Sequence, residues 1–417
     1  QSFEQKRVQF TLQISISGAA ETISRSVARA PRDMADGAPH AATPALRALL
    51  DDVARGQDYR DHRVAVTPLS TGGGNYTSEL FLITVAAPGR DDLRLFAKVA
   101  NINGKMRDAA PITKLYETER FVYGMLVDIY RKLEEQNSVP AEHRLYFPKY
   151  YGCNPKVFEE TIVLEDLGAR GFGTHDRLKS IDWPYAAAAV AELAKFHALS
   201  FAYEHDNPEE FARVLKERRF EFGSDEEKTK GVWEGMVRGA VSACGEQHRA
   251  RLGRYLAENA KRVLDYYEPL RRPVLVHGDY RPSNLMHRLK PTVRSGCAVT
   301  DLLYLVFAGS DKAFRDQHYT RLLDEYYAQL QAALRRLRLD PDMLYPRADF
   351  DYELQQVHTL PYGLLICVFV LPLVTVEAAN APRMDDMGLD AWQVKTSSLF
   401  SDRLNGVVDD YVAWGVL

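Results

Sequence analysis

The chain has 417 residues, 46% of them hydrophobic and 26% charged, with a formal net charge of -4. That is the composition of an ordinary globular protein long enough for two packed lobes. It gives no electrostatic case for a nucleic-acid or anionic-membrane partner.

Four cysteines, Cys153, Cys244, Cys297 and Cys367, form no CxxC pair and no zinc spacing. They read as buried free thiols in a reducing compartment. Residues 1–18 lack the continuous apolar core of a signal peptide. The most apolar stretch, Leu364 to Val374, is broken by Pro372. It is shorter than the roughly 20 residues that span a bilayer, so it reads as a buried core helix. These features predict a cytoplasmic protein with no membrane partner.

In chain order, residues 1–62 offer one element, a helix over Ala42 to Gly56 with Pro44 in its first turn. Three strand-like runs follow: Arg63 to Leu69, Glu79 to Ala86 and Leu93 to Ala100. The turn-forming stretches Ser70 to Ser78 and Pro88 to Asp92 separate them. This predicts an antiparallel meander. A helix is expected from Ile112 to Lys132 and a hairpin from Pro148 to Leu164. From Pro184 onward the pattern is helical, strongest over 186–203, 237–267, 314–337 and 350–370. One strand-like island, Pro273 to His277, interrupts it. A β-rich part followed by a helical part predicts an α+β fold of two lobes with a cleft between them, dividing at residues 1–166 and 167–417 near a Gly-rich connector.

Several residues along this frame suit phosphoryl transfer. That reaction needs a backbone cradle for phosphates, a fixed cation, oxygen ligands for magnesium and a group that orients the attacking hydroxyl. Gly72, Gly73 and Gly74 join two strands, where backbone N–H groups can approach a phosphate closely. The same run is also an ordinary turn. Lys98 lies among apolar neighbours on a strand and suits a phosphate-holding ammonium; an exposed lysine on the solvent face of the sheet is the alternative. Glu119 on the next helix can pair with it.

The sharpest signal is Val274 to Met286. An apolar strand runs into His277-Gly278-Asp279, and Asn284 follows five residues later. One loop can then present Asp279 to an acceptor hydroxyl and Asn284 to a magnesium ion. Thr161 to Leu167, including Glu165 and Leu167, lies where a connector between lobes would hydrogen-bond an adenine ring. His197 reads as a packed core histidine.

With these parts in order, the chain resembles the ecdysteroid kinase-like family of the protein-kinase-like folds. The likeness runs from about Ser70 to the C-terminus. It includes Gly74-Asn75-Tyr76-Thr77-Ser78, Phe96-Ala97-Lys98, Glu119 to Tyr123, Val163 to Leu167, Leu193 to Ala198, Val276 to Asn284, Asp301 to Tyr304 and Arg315 to Tyr319. The resemblance implies a small antiparallel-sheet N-lobe, a larger helical C-lobe, and ATP and Mg2+ as cofactors. It also implies transfer to a hydroxyl of a small apolar molecule, with an ecdysteroid as the best single expectation for the acceptor. It makes Lys98 and Glu119 the phosphate-holding pair, Asp279 the catalytic base and Asn284 a magnesium ligand. The aromatic and aliphatic supply of an apolar acceptor pocket would come from Phe307, Tyr319, Tyr362 and Phe369, which also suit a core.

The chain departs from the family pattern at one place. That pattern ends a strand in Asp-Phe-Gln, whose aspartate binds magnesium, and no Asp-Phe-Gln occurs between Asn284 and Asp301. In one reading a short segment around Leu289 to Pro291 is missing, and Asp301 braces the loop from the start of a helix. In the other, Cys297 to Asp301 is the metal strand and Asp301 itself binds magnesium.

Overall fold

The computed structural model describes residues 42–69, 78–101, 107, 112–219, 226–259, 270–285, 293–359, 362–377 and 397–417. Helix α1, Pro44–Gly56, starts with Pro44 in its first turn, and the Thr43 hydroxyl accepts the Leu46 N–H at 3.1 Å. Strands β1 Arg63–Pro68, β2 Ser78–Ala86, β3 Leu93–Ala100, β4 Tyr150–Asn154 and β5 Thr161–Glu165 form an antiparallel sheet in the order β1-β2-β3-β5-β4. The expected meander and hairpin are both present.

Alternation along these strands sorts two faces. Phe81, Ile83, Val85, Leu95, Ala97, Val99 and Val163 pack under Leu46, Leu50, Val53 and Ala54 of α1. Phe96, Lys98, Ile162 and Leu164 point the other way. On that side lies a long helix expected from its apolar spacing. Its regular parts are α2 Ile112–Phe121 and α3 Val127–Gln136, joined by a π-helical turn, Val122–Leu126. Tyr116, Phe121, Leu126 and Tyr130 belong to the same core as the helical half. The helix is therefore packed on both sides.

The helical half begins with α4 Trp183–Asp206, capped by the Asp182 carboxylate on the Tyr185 N–H. It is apolar on most faces and runs through the centre against the helix over Lys312–Arg336. Then come α5 Pro208–Glu217, α6 Glu226–Ala243 and α7 Glu246–Asn259. The single helical stretch expected over 237–267 is broken near Gly245, whose N–H is taken by the Asn405 side chain at 2.7 Å. A two-stranded ribbon of β6 Val274–Val276 and β7 Arg294–Gly296 follows. The rest is α8 Ala298–Gly309, α9 Lys312–Arg336, α10 Pro341–Leu344, α11 Arg347–Thr359, α12 Tyr362–Phe369, α13 Leu371–Thr375 and α14 Ser398–Ala413.

Strand β7 and helices α5 and α14 were not legible as separate elements. The stretch Leu364 to Val374 is mostly buried, with Phe369, Val370 and Leu373 partly so, and divides between α12 and α13 at Val370. Among the described residues no helix is long and apolar enough to cross a membrane.

Candidate active site

Lys98 is central in β3, between Leu80 of β2 and Ile162 of β5. It is only 3% exposed. The solvent-face alternative for this lysine is excluded. Its ammonium pairs with Glu119 of α2, itself 1% exposed. Two charges that far from water are costly unless paired, and here each neutralises the other. The Tyr116 ring, one turn before Glu119, lies with its centroid 5.1 Å from the Lys98 ammonium. Its hydroxyl bonds the Ser78 hydroxyl at 2.7 Å. Sequence reasoning missed Tyr116, although an aromatic three positions before a paired glutamate shares its helix face.

The second group of residues follows β6. Gly278 has φ +78, a backbone region that glycine enters without a Cβ penalty. The chain therefore turns sharply out of the strand and enters a short 3₁₀ turn, Pro282–Asn284. The loop is braced from behind by Asp301 in the first turn of α8. One oxygen of that carboxylate accepts the His277 N–H at 2.5 Å, and the other accepts the Gly278 N–H at 2.7 Å. His197 adds a third tie at 3.2 Å, and its other ring nitrogen meets the Tyr326 hydroxyl at 2.6 Å. Of the two readings of Asp301, these bonds match the brace: both oxygens hold the loop backbone and one also meets His197. His197 is buried as expected, and it also supports this brace.

Within the loop, His277 accepts the Asp279 N–H on Nδ1 at 3.1 Å, which places its ring proton on Nε2. Burial lowers the His277 pKa below its usual value, against the opposing pull of Asp301 and Asp279. The ring is thus a neutral spacer. The Asn284 amide donates to the Asp279 carbonyl at 2.7 Å, while its Oδ1 is buried without a hydrogen-bond partner. The Asp279 carboxylate accepts two bonds on Oδ1, from the Tyr304 hydroxyl at 2.7 Å and Arg281 Nε at 3.1 Å. The end of α8 also closes on this loop. A Cβ at Gly309 would stand 2.5 Å from Pro282 Cγ, so only glycine fits.

Other expected site residues fall elsewhere. Gly72, Gly73, Gly74 and Asn75 lie outside the described residues. Glu165 ends β5 with its N–H donated to the Lys149 carbonyl at 2.8 Å. Its carboxylate is taken by Arg170, Tyr146 and the Lys149 N–H. Glu165 therefore has no N–H to offer an adenine. Leu167 is buried just beyond, where the chain leaves the sheet. Phe307 and Tyr362 are buried, whereas Tyr319 and Phe369 are partly buried against the main core.

The residues fit a magnesium ion in one respect: Asn284 Oδ1 is an unmatched, buried, neutral oxygen, the hard donor such an ion takes. Among the described residues, no group of three or more His, Cys, Asp or Glu side chains could hold a metal.

The ecdysteroid kinase-like family matches the chain over residues 72–339. No curated protein matches it. Among solved structures, glucosamine kinase (crystal form B) is 14% identical. It covers 78% of this chain and 80% of its own, at a TM-score of 0.30. A likeness that loose adds nothing to the fold described above.

Proposed function

This chain belongs to the ecdysteroid kinase-like family, and from that premise we propose that it transfers the γ-phosphoryl group of ATP to a hydroxyl of a small apolar molecule, with an ecdysteroid as the leading acceptor. The nucleotide lies in a cleft between an N-lobe, residues 1–166, and a C-lobe, residues 167–417. The observation that carries the reading is the state of the loop after β6. Its backbone and the Asp279 carboxylate are held by neighbours, whereas the buried Ser283 hydroxyl and Asn284 Oδ1 are unmatched, the latter beside the Asp279 carbonyl.

In this reading Lys98, steadied by Glu119, places its ammonium on the phosphates. Asp279 orients the acceptor hydroxyl for in-line attack and takes up its proton as the new O–P bond forms. The bond from the γ-phosphorus to its bridging oxygen breaks, and ADP leaves with that electron pair. Asn284 would hold magnesium, which when bound neutralises charge on the phosphates. The apolar acceptor, and a place in the cytoplasm without nucleic-acid or membrane partners, rest on family membership and composition.

A second reading has a specific observation behind it. Asp301 is spent on the loop backbone, and the described residues lack an acidic metal cluster. A protein so built would bind nucleotide or ligand without turnover.

Incubation with MgATP and a panel of 20-hydroxyecdysone, choline and simple phenols, followed by mass spectrometry, separates the two. Gain of one phosphate on an acceptor supports the kinase. Nucleotide binding with no phosphorylated product on any acceptor supports the second reading. In an active protein, Asp279→Asn lowers kcat by about 10²- to 10⁴-fold and leaves nucleotide affinity nearly unchanged. Full turnover in that variant removes Asp279 from its role.

A further inference from the structure

Both hydrogen bonds that the Asp279 carboxylate accepts arrive on one oxygen. Tyr304 Oη stands 2.7 Å and Arg281 Nε 3.1 Å from Oδ1. No described residue donates to Oδ2. The two donors come from different elements. Arg281 is two residues along the same loop, and Tyr304 is on α8, three residues after Asp301. That spacing puts Asp301 and Tyr304 on one face of the helix. A single helix turn thus grips the loop backbone through Asp301 and the side chain of the base through Tyr304. The base side chain keeps 24% exposure, while Arg281 keeps 11%.

A carboxylate gripped on one oxygen cannot spin about its Cβ–Cγ bond without breaking both hydrogen bonds, each strengthened by the charge. Its other oxygen then has a fixed direction. We propose that Tyr304 and Arg281 are positioning residues that lock Asp279 through Oδ1 and so reserve Oδ2 for the acceptor hydroxyl. The inference rests on the phosphotransferase reading for its consequence, but not for its geometry. Holding the accepting atom in place before substrate arrives removes a rotation that the reaction would otherwise have to freeze. Burial and the neighbouring Asp279 raise the Tyr304 pKa well above the ordinary phenol value. The hydroxyl therefore stays a donor across the working pH range.

The assignment is narrow enough to fail. In Tyr304→Phe the ring keeps its packing and only the donor is lost. With any acceptor the protein turns over, kcat falls about 10- to 100-fold, while KM for ATP and the directly measured nucleotide affinity stay within about twofold. Arg281→Lys, which retains a donor, loses less than Arg281→Met. Wild-type kcat in Tyr304→Phe, or a matched loss of nucleotide affinity, overturns the inference and leaves the role of Asp279 standing.

A crystal structure gives a readout that needs no turnover. In the double variant Tyr304→Phe/Arg281→Met, the Asp279 carboxylate is turned, or occupies two orientations. A single orientation identical to wild type overturns the proposal even if no acceptor is ever found. In that case the failure belongs to the lock and is separate from any failure of the kinase reading.

Discussion

Lys98 and Asp279 carry the two charges that the proposed transfer needs, and the protein holds them in opposite ways. Lys98 sits in the middle of a sheet at 3% exposure, matched by one carboxylate in the same dry pocket. Asp279 keeps 24% side-chain exposure on a loop, and its support is spread over a helix start, a histidine and two side-chain donors. The first arrangement concentrates its electrostatics in one ion pair, so it is stiff but intolerant of losing a partner. The second meets its charge with two side-chain donors, while Asp301 holds the backbone of the loop. The charge stays near water, where an acceptor can reach it, and the loop stays fixed.

The largest effect should come from splitting the ion pair. Lys98→Met leaves the buried Glu119 carboxylate without the Lys98 ammonium, so unfolding free energy should fall by about 3–5 kcal/mol. Lys98→Met/Glu119→Leu replaces both charges with apolar groups and should recover most of that loss. Neither variant should transfer phosphate. Urea titrations of the three proteins test this. A double variant no more stable than the single one would mean the pair is not the stiff unit described here.

The loop half should respond less sharply. Asp301→Asn keeps the shape but offers one acceptor oxygen where two N–H groups need one each. The amide that replaces the other oxygen must face a donor. A cost of about 2 kcal/mol is expected, with a fall in kcat and little change in nucleotide affinity. Wild-type stability in this variant would show that Asp301 is not the brace.

Tyr116→Phe probes the link between the ion pair and the strand that follows the glycine run. The ring stays near the Lys98 ammonium and the bond to Ser78 is lost. The expected cost is about 1 kcal/mol, with KM for ATP rising more than kcat falls. A change in kcat alone would argue that Tyr116 serves the other half.

These contrasts also explain what was legible in the sequence. Strands β1 to β3 could be read within a residue or so, because alternation under α1 leaves a period-2 signature from Val64 to Val99. Lys98 stood out because a lysine amid that alternation must either face water or find a partner, and Glu119 on the next helix could supply one. The loop was legible because Val274 to Val276 is a short apolar run and His-Gly-Asp stops it abruptly. What stayed hidden was support that arrives from far along the chain.

Nothing local marks Tyr304 as the group that reaches Asp279, or His197 as the tie to Asp301 some hundred residues away. His197 read as a core residue and Tyr304 only as the end of a family-like motif, and both are buried. Their polar atoms matter only once α4 and α8 are packed together. The residues after Asp301 pointed to a helix start and so to the brace, but its partners are backbone N–H groups that no side-chain pattern reveals. Strand β7 was missed because Arg294–Gly296 is three residues without apolar alternation.

The smallest expected effect concerns pH, and it separates the halves by sign and place. Burial lowers the His277 pKa below about 6.5, its value in the unfolded chain. The folded state then binds fewer protons than the unfolded state as pH drops through that region. Stability contributed by neutral His277 is complete above about 6.5 and is lost as pH falls toward its lower folded value. Protonating Nδ1 would also set a new N–H against the Asp279 N–H that it now accepts. Among the described residues, Tyr304 and Arg281 on Asp279, His197 on Asp301 and Tyr185 on the Pro282 carbonyl also face this loop. A substitution confined to His277 therefore isolates its share. His277→Asn keeps an acceptor oxygen near the place of Nδ1 and cannot take up a proton in this range. Urea midpoints at pH 7.5 and 5.5 should fall less in this variant than in wild type, while Lys98→Met/Glu119→Leu should fall as wild type does. An equal fall in His277→Asn would mean that the acid sensitivity of the fold arises elsewhere than in the loop.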